Sequence, residues 1–321
     1  MVNPAAAQRA KLGWEAQKTY SELVGLLKQV DPTGALYQPT GVFRVAVDEN
    51  LAHYFRKAWK SNVWPDNWCS WITREQLMAQ VPELPHNYGG LDLHVGFWVD
   101  INSFLQKLHS RLRSKGVSVI SADQYDFHES DGDIFVTSPD FANIRCGKLV
   151  FSTGAALRNH PLWSLLPMHG VKGQNAVYRL DQKITWNKPV SAYGYAIPLD
   201  ETTMCIGATY EHEFENAEPD QIGVDDMNAK FRSLLPGLYE GATLQYQYSG
   251  VRLSTPNRLP MAGPHPHHEN IYIFGGLGSK GVLLAPYSAN LMSRHLIDKQ
   301  PLPEEIDAER HWRKLRRQGK I

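Results

Sequence analysis

Three cysteines in 321 residues leave little room for covalent stapling. Cys69, Cys146 and Cys205 lie far apart and form no CxxC pair, which argues against a cysteine zinc site or a dithiol redox motif. They read as reduced thiols of a cytoplasmic protein. An excess of charge of one sign is also missing. Lys+Arg and Asp+Glu are both 33, so there is no general pull toward nucleic acid or an anionic membrane. No apolar run reaches the length of a membrane span. The opening MVNPAAAQRAKLGW has no apolar signal core, so nothing indicates export. Internal repeats and low-complexity segments are absent, and nothing in the sequence fixes an oligomeric state. The 42% of hydrophobic residues suits a globular fold, and the length suits two domains.

The periodicities that are present alternate between helix and strand. Asn3 is a good N-cap and Pro4 suits a first helical position, which predicts a helix from the start of the chain. Leu12, Ala16, Tyr20, Leu23, Leu27 and Val30 continue it as a buried stripe up to Asp31-Pro32-Thr33-Gly34. Thr40 to Val47 alternates like a strand, and Ser70 to Leu77 looks like a capped short helix. Val99 to Lys115 reads as a helix with Asp100 as cap and Gly116 just past its end. Val117 to Ile120, Asp133 to Ser138 and Lys148 to Phe151 read as strands. From Gln174 to Gly250 the stretches NAVYRL, AYGYAIPL, TTMCIGATYE and ATLQYQYSGVRL alternate, interrupted by the helical DDMNAKFRSLL. Helix–strand alternation is thus interleaved with antiparallel stretches, which implies an α/β, mixed α+β chain whose two domains are each visited more than once.

Gly276-Leu277-Gly278-Ser279-Lys280-Gly281 is a literal G-x-G-x-x-G. It lies between a strand, Asn270 to Phe274, and a helix expected after Pro286. A dinucleotide fingerprint needs a second strand after the helix and an acid about 20 residues on. Asp298 is near that spacing, but Pro301-Leu302-Pro303 follows and no second strand is available. The alternatives are a tight strand-to-helix turn and a site for an electron-rich ligand. For the latter, glycines permit close backbone approach, helix-start N–H groups attract negative charge, and Lys280 adds a cation.

Five separated stretches share one resemblance. Lys148-Leu149-Val150-Phe151-Ser152-Thr153-Gly154-Ala155 is similar to a flavoprotein "vV-x-A-t-G-a" strand. Gly170-Val171-Lys172-Gly173-Gln174 is similar to "p-x-r-G-Q". Tyr195-Ala196-Ile197-Pro198 with Ile206-Gly207-Ala208-Thr209 is similar to "Y-x-v-P … i-G-a-T". Gly250-Val251-Arg252 with Arg258 to Gly263 is similar to "G-x-R … D-x-x-P-x-i-G", and the glycine loop to the closing "G-h-x-x-x-G-x-x-x-a-P". Together they resemble the D-amino-acid oxidase superfamily of FAD-dependent oxidoreductases, the group of glycine and sarcosine oxidases. The GLGSKG form is also similar to the flavin half of a bifunctional enzyme of tRNA wobble-uridine modification.

The resemblance implies an FAD-binding Rossmann-like domain interleaved with an antiparallel-sheet substrate domain. The first would comprise residues 1–36, 91–170 and 258–321, the second 37–90 and 171–257. Met1-Val2-Asn3-Pro4 is similar to the "G-x-v-n-P" turn that follows the family's N-terminal strand–GxGxxG–helix unit. The expectation is therefore an N-terminally truncated FAD domain. The implied chemistry is oxidation of the C–N bond of a small amino acid or secondary amine by hydride transfer to flavin. A flavin-less remnant or binding module, and a tRNA side-chain oxidoreductase, are the alternatives.

The implied FAD contacts are Ser152, Thr153 and Gly154 on the adenosine or pyrophosphate side. Gly275, Gly276, Gly278, Ser279, Lys280, Gly281 and Val282 would lie beneath the ring. Each group could equally be an ordinary strand end or turn. Arg252 would clamp a substrate carboxylate, or form a structural ion pair. Tyr195 would line the substrate pocket, or pack across strands. Lys280 would lie beside the flavin, or face solvent. Gly173 and Gln174 would shape the crossing into the substrate domain, or be structural only. Leu253 and Ser254, where some members carry a cysteine linked to flavin, imply non-covalent FAD. No metal is expected: His265, His267 and His268 flank Pro266 without i, i+4 spacing and read as a solvated loop. The six Lys/Arg from Arg310 to Lys320 read as a solvated helix, with contact to tRNA the alternative. Trp64, Trp68 and Trp71 would pack a substrate-domain core or cap.

Overall fold

A computed structural model describes residues 1–5, 9–61 and 63–321. In chain order the elements begin with α1 (Ala16–Val30), β1 (Tyr37–Gln38), β2 (Val42–Val45), α2 (Glu49–Ser61) and β3 (Cys69–Ile72). Next come α3 (Arg74–Gln80), β4 (Gly90–Leu93), β5 (Trp98–Val99) and α4 (Ile101–Ser114). A meander of β6 (Asp126–Ser130), β7 (Asp133–Ser138) and β8 (Phe141–Cys146) leads to β9 (Leu149–Phe151) and a 3-10 turn, Gly154–Asn159. Then come β10 (His169–Arg179), β11 (Val190–Ser191), β12 (Tyr195–Asp200), β13 (Thr203–Gly207), α5 (Gln221–Leu234), α6 (Pro236–Tyr239) and β14 (Thr243–Ser254). The chain closes with β15 (Met261–His265), β16 (His268–Gly275), a 3-10 turn Gly278–Lys280, α7 (Gly281–Asp298) and α8 (Glu309–Arg317).

These elements divide into two compact units, each built from three chain segments: residues 1–21, 33–101 and 171–251, and residues 22–32, 102–170 and 252–321. The first unit is organised on an eight-stranded sheet of order β14-β10-β13-β12-β11-β2-β4-β3. Most of its pairs are antiparallel; β11 and β2 are parallel. One face carries Phe43, Val45, Ala176, Tyr178, Ala196, Met204 and Ile206, packed with Met227 and Phe231 of α5. Period-two alternation sends Val177, Ile197 and Cys205 to the other face. A buried polar network pins α5 to the sheet. The Gln174 amide donates to Glu211 Oε1 at 3.0 Å and Asp220 Oδ1 at 2.9 Å, and accepts from the Asp220 and Gln247 N–H groups. Lys172, 2% exposed, donates to Asp220 Oδ2 at 2.5 Å.

The second unit contains the three-stranded sheet β15-β16-β9 and the meander β6-β7-β8. Its core gathers Phe151, Leu157, Trp163, Ile271 and Ile273 with Trp312 of α8. Trp312 explains why the basic tail forms a helix: its apolar side is buried while Arg313, Lys314, Arg316 and Arg317 stay exposed.

Several expectations need correction. The first helix starts at Ala16, because Ala10 and Glu15 adopt positive φ and Asn3 accepts from Ala5 N–H in a turn; residues 6–8 of the expected helix lie outside the described residues. Ser70 to Ile72 is strand, and the helix after it is capped by Thr73, which forms a capping box with Gln76. Val117 to Ile120 forms no strand: no neighbour pairs with it among the described residues, and Val117 and Ile120 are exposed. The last long helix starts at Gly281 rather than after Pro286, which it contains. His265 and His268 belong to the β15–β16 hairpin, not a solvated loop. The His265 ring centroid lies 5.2 Å from that of Trp163 and 5.5 Å from that of Trp312, and burial brings its pKa down to about 4. Among the described residues no helix is long and apolar enough to cross a membrane, and no His/Cys/Asp/Glu group is arranged to hold a metal ion.

Candidate active site

The second unit brings three distant stretches together. β9 and β16 are parallel, with Val150 opposite Tyr272 and Phe151 opposite Ile273. Their C-terminal ends therefore point the same way, and Ser152-Thr153-Gly154 and Gly275 to Gly281 emerge side by side. That end of a parallel sheet is where ligands of α/β folds gather, because helix starts and loop amides converge there. The two loops touch. A Cβ placed on Gly275 would lie 2.3 Å from Cδ1 of Leu157, in the 3-10 turn after β9.

The third stretch lies against the glycine loop. Ser254 pairs with Leu277 in an isolated antiparallel bridge. Gly276, at φ +66°, would put a Cβ 2.6 Å from Thr255 Cγ2, and Gly278, at φ +54°, one 3.1 Å from Ser254 Oγ. Arg252 precedes these partners by two and three residues on β14 and is half-buried. The sequence reading did not single out Ser254 and Thr255 as partners of the loop. Their adjacency to Arg252 was the available signal.

Helix α7 opens on this loop with no side-chain cap and no acid in its first turn. Its leading N–H groups are thus left to other acceptors. Lys280 sits at the N-cap. Burial, and then the charge of Arg258, hold its ammonium below the ordinary lysine value. Among the described residues no carboxylate pairs with it. Thr153 likewise makes no capping bond, and Gly154, at φ +58°, faces open space. Two cations, an uncapped 18-residue helix and close-packed glycines form a cradle suited to an electron-rich ring.

Tyr195 belongs to the first unit. Its hydroxyl donates to Oδ1 of Asn175 on β10, and Gly207 leaves the room its ring occupies: a Cβ there would lie 2.3 Å from Tyr195 Cζ. On the same sheet face the Tyr248 hydroxyl lies 3.4 Å from the Cys205 thiol, and burial followed by Cys205 raises the Tyr248 pKa. Asn175 and Tyr248 were not among the expected site residues; only the strand register shows them. Gly173 and Gln174 lie inside β10, with Gln174 committed to the network under α5.

The sequence matches the FAD dependent oxidoreductase family, DAO, over residues 2–295. The chain belongs to this family. Glycine oxidase of Pseudomonas putida KT2440 is 31% identical over 137 residues, covering 43% of this chain and 37% of that protein. The tRNA 5-methylaminomethyl-2-thiouridine biosynthesis bifunctional protein MnmC of Marinobacter nauticus is 23% identical over 83% of this chain and 43% of that protein. The chain thus spans about two-fifths of the length of these two curated relatives. The crystal structure of glycine oxidase from Geobacillus kaustophilus superimposes with a TM-score of 0.78 at 18% identity, covering 94% of this chain and 80% of that one. This likeness shows the FAD-binding fold of the family. The DAO cofactor is a flavin, and the α7 cradle, with its uncapped amides and close-packed glycines, fits the ring end of such a group.

Proposed function

We propose that this DAO-family chain oxidises the C–N bond of an amino acid or secondary amine with non-covalent FAD. The unit made of residues 22–32, 102–170 and 252–321 would hold the flavin. The observation that supports the reading is the junction of Ser254-Thr255 with the glycine loop, two and three residues after Arg252. A bound flavin supplies an acceptor for the hydride leaving the carbon of the C–N bond. The chain's own groups do the rest. Residues 275–282 would pack beneath the ring, while the α7 amides and Lys280 favour negative charge there. Ser152, Thr153 and Gly154 would meet the adenosine or pyrophosphate side. Arg252 offers a two-pronged donor fork to a substrate carboxylate. No general base is needed where the amine enters neutral.

The test is direct. The purified chain is incubated with FAD, gel-filtered and scanned in the visible range, then mixed anaerobically with glycine, sarcosine, proline and other amines. Retained flavin bands that bleach with at least one of them support the reading; retained flavin that none of them bleaches sinks it. A second reading draws on the MnmC relatives and the exposed basic side of α8, namely oxidation of a glycine-like group on a tRNA. Bleaching by undermodified tRNA, with salt-dependent binding, would select it over a small-molecule substrate.

A further inference from the structure

The first unit holds a group of reactive side chains that the oxidation reading does not use. β3 and β4 are antiparallel, with Ser70 opposite Asp92. His94 follows β4 directly, and its backbone N–H donates to the Trp68 carbonyl, just before β3, at 3.0 Å. That bond extends the ladder past both strands and keeps the imidazole beside β3. Nε2 of the ring lies 3.0 Å from the Ser70 hydroxyl.

The other ring nitrogen fixes the tautomer. Nδ1 lies 3.1 Å from the Asn67 carbonyl, which can only accept, so the neutral ring carries its proton on Nδ1. Nε2 is then bare and accepts from the Ser70 hydroxyl. A general base needs this arrangement to take a serine proton. Asn67 adopts φ +60°, a conformation that persists where the surroundings determine it. Asp92 places negative charge on the side where the proton arrives: Oδ2 lies 3.9 Å from His94 Nε2, while Oδ1 accepts from Lys188. Ser70 is half-buried and the His94 side chain is 44% exposed, so a reagent reaches the pair from solvent. β3 is an outer strand of the eight-stranded sheet. Such a strand turns alternate backbone N–H groups away from its neighbour, which leaves donors beside Ser70 for a developing oxyanion.

We propose that Ser70 is a nucleophile, with His94 as its general base and Asn67 positioning the ring, and that it takes an acyl group from a small carboxylic ester. Ser70 Oγ bonds to the ester carbonyl carbon as its proton passes to Nε2. The bond to the alcohol oxygen breaks, and the alcohol leaves with that proton. Water then gives a proton to Nε2 and attacks the acyl-serine. The carboxylic acid departs, and Nε2 returns the proton to Ser70 Oγ. Nothing is oxidised or reduced, so the step needs no flavin.

The experiment uses the full chain without added flavin, at about pH 8. It is incubated with a fluorophosphonate, in which a P–O bond to serine replaces the P–F bond and fluoride leaves. A parallel sample receives p-nitrophenyl acetate. Peptide mass spectrometry should find one phosphonyl group, on Ser70, and acetyl on the same residue in acid-quenched samples. Ser70→Ala should abolish both adducts. His94→Gln should slow phosphonylation roughly 100-fold, as loss of a general base does. A thermal melt shows whether that variant is folded, and His94→Asn replaces it if it is not. No adduct on Ser70 of the wild type, or adducts spread over several hydroxyls, would overturn the proposal. So would an unchanged rate in the folded His94 variant, which would make the Ser70–His94 bond structural only. Because flavin takes no part, this site and the oxidation site fail independently.

Discussion

Replacing Gly276 by alanine tests the packing of the glycine loop most sharply, because two separable costs meet there. The residue sits at φ +66°. A side chain in the left-handed region costs about 1–2 kcal/mol. The new methyl would also fall 2.6 Å from Thr255 Cγ2. Thr255 cannot simply rotate away: it is 1% exposed, its hydroxyl donates to the Leu259 carbonyl at 2.6 Å, and Asn257 Oδ1 lies 3.0 Å from it. Overpacking of this kind costs about 1–3 kcal/mol. The expected loss is therefore about 2–5 kcal/mol, or roughly 4–20 °C in the melting temperature of the affected unit. Gly154→Ala is the matched control. It shares the positive φ, +58°, but its Cβ meets open space, so only the first cost applies.

A double-mutant cycle separates the two terms. Thr255→Ser removes Cγ2 and keeps the hydroxyl that bonds Leu259. Combined with Gly276→Ala, it lets the alanine methyl occupy the vacated space. The pair should recover about 1–3 kcal/mol relative to additivity. Thermal melts of five proteins in one buffer, the four of the cycle and Gly154→Ala, give the answer without substrate or cofactor. If Gly276→Ala costs no more than Gly154→Ala, or if the cycle is additive, the claimed support of the loop by Thr255 is wrong.

Other consequences follow from particular contacts. Arg252→Ala in the flavin-loaded protein should raise KM for carboxylate substrates roughly 10- to 100-fold, as expected for a lost charge-assisted pair; unchanged kinetics on every active amino acid would refute the clamp. Asp220 is held at about 2, against 3.8 ordinarily, first by the Lys172 hydrogen bond, then by those from the Gln174 amide and Gly223 N–H. Its folded pKa is depressed, so its contribution is full above the unfolded value and is lost as pH falls through about 2. The melting-temperature gap between wild type and Asp220→Asn should therefore narrow from pH 6 toward about pH 2; a constant gap would refute the assignment. Burial, then Asp92, pushes the Cys69 thiol up to about 12, and burial likewise raises that of Cys205. Iodoacetamide at neutral pH should leave both unmodified in the folded protein and modify all three cysteines in denaturant, as read by mass spectrometry.

What the sequence revealed, and what it hid, divides along the range of the interactions. Asp133–Ser138 and the strand ending at Phe151 were legible because period-two alternation is a property of the strand itself. Val117 to Ile120 alternates equally well and forms no strand, because a strand also needs a neighbour. The short helix read over Ser70 to Leu77 begins only after Thr73, because the capping box pairs Thr73 with Gln76 three residues on. The histidine stretch was misread because Trp163 and Trp312, over forty residues away on either side, draw His265 into a core. Asn175 beside Tyr195 was invisible for a related reason: only the antiparallel register across Gly207 brings β10 and β12 within reach.

The glycine loop shows how a motif can be literal and still carry another meaning. In a dinucleotide fingerprint the glycines exist for the turn, for the pyrophosphate and for helix–strand packing. Here the chain's own packing already accounts for them. Gly276 has a left-handed φ and the Thr255 methyl against it; Gly278 has a left-handed φ and the Ser254 hydroxyl. Gly281, the first residue of α7, would meet Leu277 Cβ at 3.3 Å. None of the three needs a phosphate to explain it. Their joint effect is to press the start of α7 against the end of the strand that carries Arg252, so that the loop and that strand are fixed with respect to one another before any ligand arrives. Such preorganisation matters to an oxidation in which the cofactor performs the bond-breaking and the protein orients and polarises. A substitution at Gly276 should therefore weaken both flavin retention and use of carboxylate substrates, the second through the strand that carries Arg252.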